Sequence, residues 1–144
     1  MQLDRNLQIL GLAKKAGLLA IGGDAAGIAA RKVGVSLIIS ASDASERAHK
    51  NARIDADAGG ALHAVVPYTM FELGNAIGRG SPGTVAFLDM GLAVKFLKGL
   101  AESQPEPFGK LREFLEKTAN DNEDKKTLGS PGNSAPIGKR RTKQ

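Results

Sequence analysis

A three-layer α/β/α sandwich with a short mixed or mostly parallel sheet is the fold class this sequence predicts, on three observations. Three brief runs, "VSLIISA", "LHAVVPY" and "TVAFLD", are apolar at nearly every position, the pattern of strands covered on both faces. These runs alternate with longer segments of helical periodicity, and the β–helix–β stretches 36–67 and 62–88 have the length of crossover connections. Finally, the 42% hydrophobic content includes five Phe, one Tyr and no Trp. The core is therefore built from Ala, Leu, Ile and Val, which suits helices packed closely on a sheet.

The elements follow in order. "LDRNLQILGLAKKAG" spaces Leu3, Leu7, Leu10 and Ala13 on one helical face, with Asp4 as a cap and Gly17 as its end. A short apolar link, "LLAI", leads to Gly22-Gly23. From Asp24 a second helix is expected, capped by that residue, with Ile28, Ala29 and Val33 inward, Arg31 and Lys32 outward, and Gly34 closing it. After the first strand, Ser42 and Asp43 are cap candidates for "ASERAHKNARIDADAG", a polar helix ended by Gly59-Gly60. Pro67 stops the second strand. Thr69 and Glu72 then stand at capping-box spacing ahead of a helix closed by Gly78. The third strand is followed by the helix "MGLAVKFLKGLAES".

This domain spans 1–103. Over 104–119 an appended amphipathic helix presents Phe108, Leu111, Phe114 and Leu115 on one face, a candidate surface for a protein partner. Residues 120–144, polar and rich in Gly, Pro, Asn and Lys, read as a disordered basic tail.

Composition excludes several chemistries. With no cysteine, there are no disulfides, thiolate metal sites or Cys nucleophiles. No stretch approaches the roughly 20 apolar residues of a membrane span, and "MQLDRNLQ" lacks the order of a signal peptide, so no membrane partner and a cytoplasmic location are expected. Lys and Arg number 20 against 15 acids, a net charge of +5. Residues 121–144 hold six bases and three acids, which leaves the body only mildly basic. A basic surplus favours polyanions. His49 and His63 have no acid at metal-ligand spacing, and Asp55 and Asp57 point apart on a helix, so no metal, cofactor or catalytic group is expected.

Gly22-Gly23-Asp24 resembles a phosphate-binding loop only superficially. A Walker loop needs Lys-Ser/Thr where Ile28-Ala29 stand, and a dinucleotide fingerprint needs a preceding strand and another glycine spacing. What remains is a glycine turn opening a helix, either as a cap alone or as a docking tip for a nucleic-acid backbone or base edge. Asp24 opposes phosphate contact and suits the N–H donors of a guanine edge.

Four stretches in register, "LGLAKKAGLLAIGGDAA", "VSLIISASDAS", "VPYTMFELGNAIGR" and "TVAFLDMGLA", resemble bacterial members of the ribosomal protein L-seven-Ae family, which includes L-thirty-e and YlxQ-like proteins. The match covers about residues 6–100. It implies an α/β/α sandwich that binds structured RNA, such as kink-turns or ribosomal RNA, without catalysis. Similar proteins in some bacteria look like the second half of a longer chain headed by a YlxR-like domain, so Met1 is open to two readings, a true start or an internal boundary.

By this resemblance the RNA surface has two walls: Gly22, Gly23, Asp24 and Ala25 at the helix start, and Ala76, Ile77, Gly78 and Arg79 leading into the loop after the fourth helix. Lys14, Lys15, Arg31 and Lys32 are candidates to flank a phosphate backbone, although cations at helix C-termini are expected from the dipole alone. Asp24, Ala25 and Ile28 stand where the family has Asn, Glu and Lys. The side chains that read sheared G·A pairs are thus replaced, which argues against kink-turn specificity. A scaffold that binds protein on the same fold is the alternative function.

Overall fold

The computed structural model describes residues 5–78 and 80–129, the side chains of Pro107 and of 119–129 excepted. Leu3, Asp4, Arg79 and residues 130–144 lie outside it. Among the described residues six helices and four strands follow one another: α1 (Arg5–Lys15), β1 (Leu19–Ile21), α2 (Gly23–Lys32), β2 (Leu37–Ser40), α3 (Glu46–Gly59), β3 (Leu62–Val65), α4 (Met70–Ile77), β4 (Thr84–Phe87), α5 (Met90–Ser103) and α6 (Pro105–Gly129).

The four strands form one mixed sheet in the order β1-β4-β2-β3. Only β2 and β3 run parallel, with Leu37 opposite Leu62 and Ser40 opposite Val65. β4 enters between β1 and β2, antiparallel to both. The α4–β4 connection stays at the end of the sheet where β2 and β3 finish, because Thr84 lies opposite Ser40; the chain can then only run back. β1 is the apolar link "LLAI" of the sequence reading. Three half-buried residues give no alternation to detect.

Side-chain alternation divides the core between two faces. Leu37, Ile39, Val85 and Phe87 point toward α1, α4, α5 and α6. Ile38 and Ala86 meet Ala26 and Ala30 of α2 and Ala52 and Ala56 of α3. Both faces of β2 and β4 are covered, which is why every residue in them is buried and all but Ser40 and Thr84 are apolar. On the first face the Phe96 ring lies 5.2 Å from that of Phe87 and 6.5 Å from that of Tyr68.

The second face is thin because its helices pack through small residues. Gly59 lies so close to the Ala30 backbone that no side chain fits there. This corrects the inward face expected of α2: Ala29 is buried as expected, but Ile28 is 58% and Val33 72% exposed. The inward positions are Ala26, Gly27 and Ala30, small enough for the close approach of α3.

Several helix starts also differ from expectation. Gly22, rather than Asp24, is the N-cap of α2, and no side chain caps it. Ser45 caps α3 through the Ala48 amide. Asp43 instead accepts the Met70 N–H at 2.8 Å, which ties the β2–α3 loop to the start of α4. The Thr69–Glu72 capping box is present as read.

α6 docks on α5, burying Phe108 and Leu115 and packing Leu111 against the same core, while Phe114 stays 59% exposed. The apolar face offered as a partner surface is thus largely used within the chain. α6 runs on to Gly129, so its last ten residues fall in the segment read as a disordered tail.

His63 on β3 shares a 2.8 Å hydrogen bond between its Nε2 and the Ser40 hydroxyl. Burial lowers its pKa below 6.5, His49 and Arg53 lower it further, and Asp57 acts in the opposite direction. The unfolded chain therefore takes up a proton that the folded chain refuses, so stability is lost as pH falls through 6.5 and toward the folded-state value. Urea midpoints at pH 7.5 and 5.5 should fall further in the native protein than in His63→Gln; equal losses would remove His63 as a cause.

Candidate functional site

Four connections converge at one end of the sheet, because β2 and β3 finish there, β4 starts there, and Ile21 of β1 pairs with Val85. Backbone hydrogen bonds tie them together. The Gly22 N–H donates to the Thr84 carbonyl at 2.8 Å, Ala41 N–H to Gly83 at 2.9 Å, and Ser42 N–H to Tyr68 at 2.8 Å. The glycine-opened tip of α2 and the far end of the loop after α4 are therefore neighbours.

Gly22 holds φ 97° and ψ 156°, a region essentially reserved for glycine. With this geometry the chain leaves β1 and turns directly into α2, and no side chain stands over the turn. Gly22→Ala is expected to destabilise the protein by about 1–3 kcal/mol, read from denaturant unfolding. An unchanged midpoint would mean that the turn relaxes.

From this corner an open groove of about 1090 Å³ runs between α2 and α3. α2 lines it with Gly23, Asp24, Gly27, Ile28, Arg31 and Lys32, and α3 with Arg47, Ala48, Asn51, Ile54 and Asp55. Met70, Gly83 and Thr84 close its upper end. Ile28 and Ile54, 58% and 47% exposed, give it an apolar wall on each side. Among the described residues no ion pair engages Lys32 or Arg47, whereas Arg31 is paired with Asp55 across the groove.

Of the residues singled out from the sequence, Gly23, Asp24, Arg31 and Lys32 come together in this groove, with Gly22 at its corner. Ala25 is exposed beside them on the first turn of α2. Lys14 and Lys15 are exposed but stand apart. They precede β1 at the Phe87 end, remote from Gly22, and α1 covers the other face of the sheet. Ala76 and Ile77 do not form an open wall either. Ile77 is 4% exposed and Ala76 packs against the same core, because this side of α4 is held against α1, with Gly11 close under the Ala76 carbonyl. Gly78 is exposed in a left-handed cap. Arg79 lies outside the described residues.

The α3 wall escaped the sequence reading. Arg47, Asn51, Ile54 and Asp55 fall at helical spacing on one face, and that spacing was the available signal. Gly74 is a further such position. The Gly80 carbonyl rests on it, so the loop after α4 folds back over the helix and delivers Gly83 to the groove. Among the described residues there is no group of three His, Cys, Asp or Glu suited to a metal, and no helix long and apolar enough to cross a membrane.

Neither protein-family models nor curated proteins give a match to this chain. Solved structures do. A protein of unknown function from Bacillus halodurans is similar with a TM-score of 0.62 and 27% identity, over 67% of this chain and 97% of that one. The Giardia lamblia 15.5kD RNA binding protein is similar with a TM-score of 0.54 and 13% identity, over 71% and 88% of the two chains. The chain thus has an α/β fold with a four-stranded mixed sheet flanked by helices, which it shares with these two structures.

Proposed function

We propose that this chain is a non-catalytic, cytoplasmic RNA-binding module that receives structured RNA, ribosomal RNA being one such class, in the groove between α2 and α3. The observation that carries the reading is the convergence of a side-chain-free helix tip at Gly22 with the loop ending at Gly83–Thr84, above a groove with Lys32 and Arg47 at its rim. Amide N–H groups at a helix start donate to the acceptors of a nucleic-acid backbone or base edge, and the heads of Lys32 and Arg47 supply attraction to phosphate. The fold shared with an RNA-binding protein supports the same reading. Arg79, which precedes Gly80 in the sequence, is a further contact in this reading, whereas Lys14 and Lys15, on the opposite side of the sheet, contribute only long-range attraction to phosphate.

A second reading keeps a specific observation in its favour: Ile28 and Ile54 give the groove an apolar character that a protein segment also fits. Ultraviolet crosslinking of the full chain to cellular RNA, with peptide mapping, separates the two. Crosslinks within 22–32 and 44–55 support RNA binding here. A nuclease-resistant protein partner with no RNA crosslink supports the scaffold.

A further inference from the structure

We infer that Asp55 is a specificity-determining residue of the groove: by clasping Arg31 it withholds one cation from sequence-blind attraction to phosphate. This role rests on the RNA-binding reading.

Arg31 Nη1 is paired with Asp55 Oδ1, and it also reaches the Gly27 carbonyl at 3.5 Å. The Asp55 side chain is 17% exposed and that of Arg31 47%, so the acid sits inside the groove and the base is drawn over it. Gly27 makes the seat. A Cβ there would stand 2.7 Å from Asp55 Oδ2 and 3.4 Å from Arg31 Nη1, so a side chain at 27 would displace the carboxylate. Three residues on two helices thus fix where this guanidinium points.

The charge consequence is direct. The groove carries three bases, Arg31, Lys32 and Arg47, and two acids, Asp24 and Asp55. With Arg31 neutralised, a ligand offering only phosphates meets two unpaired cations and Asp24. A ligand that also offers bases gains contact with Ile28 and Ile54. The clasp therefore shifts selection away from bare polyanions and toward RNA with accessible base surfaces.

Asp55→Asn in the full-length protein should free Arg31 to meet phosphate. Filter binding to poly(U) over a salt series should then show a slope steeper by about 0.7, the increment for one more phosphate contact on a single strand. Elution from heparin should move to higher salt. Both changes should vanish in an Arg31→Met background, and Asp57→Asn, with the same change of charge on the same helix, should not reproduce them in full. If Asp55→Asn melts early, Asp55→Ser, which is smaller at the Gly27 seat, is measured instead. An unchanged slope, or a change that persists with Arg31→Met, overturns the inference. The heparin arm contains no RNA. If the native protein fails to retain structured RNA while the Arg31-dependent heparin shift remains, it is the RNA reading that fails and not the clasp.

Discussion

Protein carrying both Lys32→Glu and Arg47→Glu should bind structured RNA roughly a hundredfold more weakly at moderate salt. Each reversal removes one attraction and adds one repulsion, and about 1.4 kcal/mol for each is a factor of ten. Both side chains are exposed at the groove, one near the end of α2 and the other near the start of α3. The fold should survive, because the two changes act oppositely on their helices. An acid in the last turn of α2 opposes the dipole and one in the first turn of α3 complements it, each by about 0.3–1 kcal/mol. Reversing Lys14 and Lys15 should have the smaller effect, since they lie on α1 at the remote end of the sheet. Retained affinity in a filter-binding titration of the Lys32/Arg47 variant, with its melting temperature unchanged, would remove this groove as the site.

The second large effect concerns the core. Phe96→Ala should reduce stability by about 3–5 kcal/mol and lower the melting midpoint by roughly ten degrees or more. Phe96 is fully buried and bridges α5 to the sheet through Phe87 and to the β3–α4 connection through Tyr68. Phe87 and Tyr68 are themselves held in the same core, so the space left by the Phe96 ring is filled only at the expense of their own packing. A loss below about 1 kcal/mol in urea unfolding would show that α5 collapses into the void, contrary to the close packing expected of interiors.

The layered architecture was legible because it rests on periodicity. Runs such as "VSLIISA" are apolar on both faces since α1, α4 and α5 cover one side of the sheet and α2 and α3 the other. Gly17, Gly34, Gly60 and Gly78 at helix ends read correctly and hold positive φ. The inward face of α2 did not read correctly, because hydrophobicity alone assigns Ile28 to the core, whereas the spacing between α2 and α3 admits only small residues. The candidate site was half legible. Gly22 to Asp24 announce themselves by composition; helical spacing groups Arg47, Asn51 and Asp55 on one face of α3, but only tertiary packing sets that face against α2. The Arg31–Asp55 pair spans 24 positions, so neither residue could name the other from the chain alone.

The segregation of helices between the two faces of the sheet has a practical corollary. Because the sequence contains no cysteine, Lys117→Cys places a single thiol on an exposed position of α6. That helix belongs to the layer behind the sheet from Ile28 and Ile54. A fluorophore or surface tether attached at 117 leaves the front open, so titrations and immobilised-protein measurements can be run without the reporter shielding the face under study.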